Sequence, residues 1–490
     1  MRLFLTLVVF ATLIGGCSAD TSTGAGDDAG VVTIYCGSLI DGLSDQALDA
    51  QTITVAGERI ESVRAGRHEA GRFIDLGAHT CLPGLIDTHS HMVETDDIYM
   101  DPTLIYTRTS EEQQEIATGL AAKTLAAGFT TVRDLAAYDG FADVVLRDRI
   151  KGGEIPGPRM LASGFYLTIP GGGGDVLVPG YDEAEIPSRI RMGIARGPEE
   201  FRQKARKAVD GGADVLKVIA SGAVLAYGGV PGAPEMTPEE IEAVVEVARE
   251  AGIKVTAHAH GARSIKAAIL AGVDSIEHAS LADDEAIALA VEHDVAFSMD
   301  IYNGTYIAKV GREQGWAEEF LRKNDETTEA QRQVFTKAHA AGVALIYGTD
   351  AGVFPHGDNA KMFAYQVERG MSPMESIKSA TSVAARYIGF EDVGAIEAGR
   401  YADIIAVQGN PVDDIRLLES VDVVIKGGGD PTLGSSAIAT TFAPWQKALA
   451  DAGITRIEGS IVGDAAIFGT QLLPDSWQWN DLGTYYAAGA

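Results

Sequence analysis

Residues 82–92 read Leu-Pro-Gly-Leu-Ile-Asp-Thr-His-Ser-His-Met. Pro83-Gly84 is a turn signal, and Leu85-Ile86 an apolar pair suited to a short buried strand. Residues two apart in a strand share a face. His89 and His91 are therefore expected to leave the strand's end on one side, as two imidazoles holding one metal ion must. A lone His-x-His pair is weak evidence, so its reading rests on what the rest of the chain places beside it.

From Leu82 onward the pattern alternates strand and helix. Strands are expected at Thr130–Leu135, Arg159–Ser163, Val215–Ala220, Lys254–His258, Ser275–His278, Ala296–Asp300 and Ala344–Thr349. The intervening helices include Glu111–Ala127, Glu199–Gly211, Pro238–Ala251, Ala262–Leu270, Asp283–Glu292 and Glu326–Ala341, with Pro373–Ile388 last. Thr237-Pro-Glu-Glu is a capping signature for the third of these. With the opening strand, eight units span roughly 300 residues, the content of a (β/α)8 TIM barrel of class α/β. The active site of such a barrel lies where the carboxyl ends of the strands emerge.

Short β-rich runs flank this region: Val31–Cys36, Thr52–Val55, Ile60–Arg64 and Phe73–Leu76 before it, Ile404–Val407 and Val421–Lys426 after it. They predict a small β-sandwich domain, residues 31–82 plus 390–428, into which the barrel of residues 83–389 is inserted. Residues 429–490 match neither pattern and form an extension of unassigned role.

The chain has 490 residues, of which 46% are hydrophobic, so a large core is available and global disorder is excluded. A formal charge of -30 argues against nucleic acid, which demands a basic footprint. Residues 1–17 read as a targeting segment: Arg2, an apolar run from Leu3 to Ile14, then Gly-Gly-Cys. Leu13–Cys17 resembles a bacterial lipobox, which implies lipidation of Cys17, a tether over residues 18–30 and contact with a membrane only through the anchor. An ordinary signal peptide cut nearby is the alternative. Export permits a disulfide between Cys36 and Cys81, but two separate buried thiols are the expectation.

Five of the ten histidines fall at the predicted strand ends. The first strand offers His89 and His91, the fifth His258 and His260, the sixth His278. Lys217 stands at the fourth and Asp350 at the eighth. His68, His79, His293, His339 and His356 lie elsewhere.

At these residues the chain resembles the metal-dependent amidohydrolases with a binuclear site. The matching pieces are PGLIDTHSHM (83–92), LKVIASGA (216–223), TAHAHG (256–261), SIEHAS (275–280), YGTDAG (347–352) and GAIEAGRYADIIAV (394–407). Within that superfamily it is most similar to imidazolonepropionase-like, prolidase-type exported dipeptidases and ochratoxin-hydrolysing amidases. The resemblance implies His89, His91 and Asp350 on one divalent metal, His258 and His278 on a second, and Lys217 between them. An ammonium cannot ligate a cation, so the resemblance implies N6-carboxylysine at Lys217. Imidazole and carboxylate donors suit zinc, and manganese or cobalt as well. Asp350 would serve as general base and then general acid, as the family implies. His260 would either touch substrate or support the ligands.

Specificity is expected in the loops after the strands. Tyr138, Tyr166 and Tyr227 follow strands two, three and four and would either bind substrate or line a wall. Arg189, Arg191 and Arg196 would either pair with a substrate carboxylate or be solvated. Pro170–Asp175 is glycine-rich where relatives carry a Gly-Gly-His-Gly-like stretch. The expected activity is hydrolysis of the amide of a dipeptide, Xaa-Pro or similar, or of an N-acyl amino acid, ochratoxin-type amides included. The alternatives are a cyclic amide or imidazolone hydrolase, and a metal-free binding lipoprotein. A homo-oligomer is compatible with the sequence.

Overall fold

The computed structural model describes residues 7–11 and 31–427; the expectations for Cys17, the tether and residues 429–490 lie outside them. Eight parallel strands form the barrel: Leu85–Ser90, Phe129–Asp134, Arg159–Leu161, Val215–Ile219, Lys254–Gly261, Ser275–Leu281, Ala296–Ser298 and Leu345–Ile346. They fall into a three-stranded and a five-stranded ladder. The gap after the third strand is bridged by Leu167, whose amide donates to the Lys217 carbonyl at 2.9 Å. The ring closes where the Thr88 amide donates to the Tyr347 carbonyl at 2.7 Å and Ser90 pairs with Ala351.

Helices between strands begin where the sequence supplies caps. Thr109 with Glu112 and Thr237 with Glu240 form complete capping boxes, each cap contributing about 1 kcal/mol. Ile241, Val244, Val247 and Ala248 of helix Pro238–Ala251 share one helical stripe and enter the main core with Leu216, Val218, Val255 and Ala257 of the adjoining strands.

Two helices differ from expectation. Glu318–Ala341 starts eight residues earlier than predicted, since Phe320, Lys323 and Asn324 are buried as well. The predicted Pro373–Ile388 is two helices, Pro373–Ser379 and Ser382–Ile388. Thr381 leaves helical geometry at φ −137°, ψ −106°. The carbonyls freed there are used: Ser379 accepts from the Tyr347 amide at 2.9 Å and Ala380 from the Ile86 amide at 2.8 Å.

The small domain is one seven-stranded sheet. Its central strand, Arg72–Pro83, pairs parallel with Val31–Leu39 and antiparallel with Ile404–Gln408. Leu48–Ala56 and Arg59–Ala65 extend one side; Val423–Gly427 and then Leu7–Ala11 extend the other. Arg59 also bridges to Tyr401, so the sheet curls back over its own core of Ile34, Ile53, Val55, Ile60, Ile404 and Ile425. Arg72–Pro83 runs almost directly into Leu85–Ser90, which couples this core to the first site-bearing strand.

Cys36 and Cys81 are joined as a disulfide, with Cα atoms 5.9 Å apart, contrary to the expected free thiols. The register between their strands explains this. Cys36 pairs with Leu76, but Ser38 pairs with Thr80 rather than Ala78, so the longer strand bulges and draws Cys81 toward Cys36.

Candidate active site

The predicted ligands His89, His91, Lys217, His258, His278 and Asp350 lie at the same mouth of the barrel and are buried, and His260, expected beside them, is buried there too. Asp350 Oδ1 is 3.0 Å from His91 Nε2 and 3.3 Å from His89 Nε2. The rings of His258 and His278 are 4.5 Å apart, those of His258 and His260 4.7 Å, and those of His260 and His278 4.8 Å. Two sets of donor atoms lie within 4.8 Å of one another: His89, His278 and Asp350, and His258, His260 and His278. His260 is thus inside the cluster, with Nδ1 2.8 Å from Ser280 Oγ.

The backbone is bent to achieve this. His278 has φ 71° and Asp350 φ 60°, left-handed values that cost roughly 1–3 kcal/mol each in residues other than glycine. His278 lies within strand Ser275–Leu281 and Asp350 four residues beyond Leu345–Ile346.

Three buried polar atoms in the cluster have no hydrogen-bond partner: His89 Nδ1, which still touches Glu277, and Lys217 Nζ and His258 Nε2. Burial is also the main force lowering the Lys217 pKa, to about 8. Unpaired buried donors are costly, and a set of imidazoles, a carboxylate and an amine that can be neutral fits divalent cations.

Around these residues lies a layer that sequence reading missed. Glu277 Oε2 is 3.0 Å from His89 Nδ1, and Glu277 Oε1 accepts from Arg133 at 2.8 Å and from Thr256 Oγ1. Burial pushes the Glu277 carboxyl up, but the charge of Arg133 and contact with His89 hold it well below the usual range. Asp300 Oδ1 meets His278 Nδ1 at 2.9 Å and accepts from Gln331 Nε2 at 2.8 Å. Asn303 Nδ2 donates to Asp300 Oδ2 at 2.9 Å and to Asp350 Oδ2 at 3.2 Å. Asp87 accepts from the amides of His89 and Thr349 at 3.2 and 3.0 Å, locking the first and eighth strand ends together. Burial raises its pKa to about 6. His356, placed outside the site on sequence, is buried behind it with Nε2 3.1 Å from the His91 carbonyl oxygen.

The cluster floors a cavity of about 110 Å3. Tyr138 and Tyr166 line it with ring centroids 5.0 Å apart, and the Tyr166 hydroxyl is 3.2 Å from His91 Nδ1. Tyr227 is not among the lining residues; it packs on Phe320, ring centroids 4.7 Å apart, because its loop turns toward helix Glu318–Ala341. Arg189 pairs with Asp139 at 3.2 Å, and Arg191 grips Asp175 through two contacts of 2.9 and 2.7 Å. Both serve the loop rather than the cavity, and Arg196 is exposed. In the glycine stretch, Gly173 reaches the cavity wall, where an added Cβ would come to 3.0 Å of the Ala223 Cβ. Its amide donates to Glu235 Oε2 at 2.8 Å, so the glycines allow a close approach of two loops.

Comparison with known proteins agrees with this geometry. The profile of the Amidohydrolase family matches residues 80–429. Ochratoxinase of Aspergillus niger is 32% identical over 431 residues, 82% of this chain and 87% of that protein. Its crystal structure covers 82% of this chain and 95% of its own at 30% identity, with TM-score 0.73. A Xaa-Pro dipeptidase with methionine bound in the active site is 38% identical, covers 81% of this chain and 98% of its own, and gives TM-score 0.74. The chain belongs to the amidohydrolase family, in the group that holds these relatives, and is a hydrolase of amide bonds.

Proposed function

We propose that the protein is an exported, binuclear-metal hydrolase of dipeptides, Xaa-Pro or similar, or of N-acyl amino acids, ochratoxin-type amides included. The observation that carries this reading is the pair of unpartnered buried atoms, Lys217 Nζ and His258 Nε2, set among His89, His91, His278 and Asp350. His89, His91 and Asp350 would hold one cation, and His258 and His278 the other. Lys217 would bridge them after its neutral amine adds carbon dioxide, forming a carboxylate on Nζ and releasing a proton. Zinc suits these donors. Bound there, the cations supply Lewis acidity that polarises a carbonyl and acidifies water.

The remaining chemistry belongs to the chain's own groups. Asp350 Oδ1 lies at the crossing of His89 and His91, while Asn303 occupies Oδ2. Burial opposes the anion, yet the charges of His89 and His91 and the hydrogen bond from His91 hold the Asp350 carboxyl below the usual range. As a carboxylate it takes the proton of the attacking water and returns it to the leaving amine. Tyr138 and Tyr166 form the aromatic wall against which the substrate packs.

Export is supported by the apolar leader and by the Cys36–Cys81 disulfide, a bond characteristic of oxidising compartments. Lipidation of Cys17 would then hold the enzyme at a membrane. The test is to strip the protein of metal, reload it with zinc and bicarbonate, count metal by elemental analysis, and present dipeptides, N-acyl amino acids and imidazolones. Two metals per chain with turnover of the first two classes is the expected outcome. A chain that retains no metal, or cleaves only cyclic amides, overturns the reading.

A further inference from the structure

We propose that Glu94 receives the α-ammonium group of the substrate, and so selects dipeptides and aminoacyl amides with a free amino group over N-acylated amino acids. The inference rests on the amide-hydrolase reading above and narrows it.

Glu94 is 6% exposed and lines the cavity. Its Oε1 accepts from the Tyr138 amide at 3.1 Å. Neither oxygen has a cationic partner among the described residues. The guanidinium groups of the surrounding loops are committed elsewhere: Arg108 to Asp97, Arg189 to Asp139, Arg191 to Asp175. Among the described residues no arginine lines the cavity, and its one lysine is Lys217. The wall therefore offers a buried carboxylate with no arginine or free lysine beside it; burial pushes the Glu94 carboxyl up to about 7 and the neighbouring His91 draws it back down. A buried carboxylate in that state is a receptor for positive charge.

Its position suits an α-amine. The Glu94 amide donates to the His91 carbonyl at 3.1 Å, so the residue closes a tight turn directly after the first ligand pair. An α-ammonium nitrogen is two bonds from the scissile carbonyl carbon. A carbonyl placed over His91 and Asp350 would bring its amine to the wall that Glu94 shares with Tyr138 and Tyr166, whose rings also favour a cation. An N-acyl amino acid brings no cation to this wall and adds a second anion beside it.

The experiment compares methionyl-proline with N-acetyl-methionyl-proline on zinc-loaded wild type, Glu94→Gln and Glu94→Asp. Gln keeps the acceptor for the Tyr138 amide and removes only the charge. Wild type is expected to prefer the free amine. In Glu94→Gln the ratio of kcat/KM, free over acetylated, should fall by about 30-fold or more, the loss that follows when one partner of a buried charge pair is neutralised. The fall should lie mainly in KM, and Glu94→Asp should recover part of it. An equal loss on both substrates, or no preference in wild type, overturns the proposal. Calorimetric titration with L-methionine and N-acetyl-L-methionine gives an independent reading. If no amide is turned over but wild type binds the free amino acid more tightly and Glu94→Gln does not, the hydrolase reading fails and the role of Glu94 stands. If neither variant distinguishes the two ligands, the role of Glu94 fails.

Discussion

Glu277 Oε2 lies 3.0 Å from His89 Nδ1, in contact but not aligned as a hydrogen bond, while Glu277 Oε1 takes a hydrogen bond of 2.8 Å from Arg133. All three side chains are essentially inaccessible to water. Arg133 is itself anchored to the Thr88 carbonyl, one residue before His89, at 2.6 Å. The ion pair therefore sets the tilt of His89 and leaves its Nε2 for the cluster. Glu277→Gln should lower zinc affinity by about 10–100-fold, the usual consequence of removing a partner of a ligating histidine. Chelator competition measures it, and an unchanged affinity would show that Glu277 serves only Arg133. The same variant should cost about 3 kcal/mol in denaturant unfolding of the metal-free protein, since Arg133 loses its buried counter-charge.

Lys217 is fully enclosed, and its Nζ has no partner. Lys217→Ala should fail to retain two metals through gel filtration and should lose measurable amide hydrolysis. Full metal content by elemental analysis would exclude a bridging role.

Asp350→Asn preserves the contact with Asn303 and removes the proton acceptor. Metal should be retained in part, while kcat falls by about 100-fold or more, the scale of general acid–base catalysis. A near wild-type kcat on the same dipeptide would move proton transfer to another group.

The barrel and the cluster of histidines, Lys217 and Asp350 at its mouth were legible because strand and helix alternate and the histidines sit at strand ends. What escaped was governed by geometry that period-two reading does not carry. Glu277 precedes His278, so an ideal strand would send them to opposite faces; the left-handed φ of 71° at His278 lets both reach the site. Asp300 and Asn303 reach His278 and Asp350 from the loop after the seventh strand, which carries no metal-binding spacing of its own. Tyr227 looked equivalent to Tyr138 and Tyr166 by position, but its loop's direction is set by contact with Phe320. The Cys36–Cys81 bond depended on a bulge that shifts one register by two residues.

That disulfide spans 45 residues and ties Val31–Leu39 to the strand leading into the barrel. A loop of that length predicts a stabilisation of about 2–4 kcal/mol. A Cys36→Ser, Cys81→Ser variant should unfold at correspondingly lower denaturant. Adding reductant should destabilise wild type by a similar amount and leave the variant unaffected. An effect of reductant on both proteins would place the sensitivity at another group.

His356 joins the site to the pH dependence of stability. It is buried, with Nδ1 3.0 Å from Thr124 Oγ1 and Nε2 3.1 Å from the His91 carbonyl, an arrangement a neutral ring satisfies by accepting at Nδ1 and donating at Nε2. Burial lowers its pKa to about 4 from the usual 6.5. Between those values the unfolded chain binds a proton that the folded chain does not, so stability rises with pH across the window and is lost on acidification. From pH 7.5 to pH 5 this histidine alone should cost about 2 kcal/mol. His356→Gln, which keeps an amide donor for the His91 carbonyl, should show an acid loss smaller by that amount when metal-free proteins are unfolded in urea at the two pH values. Equal losses would mean that the imidazole is protonated in the folded protein, and that the hydrogen bond from Nε2 holds a charged ring in place.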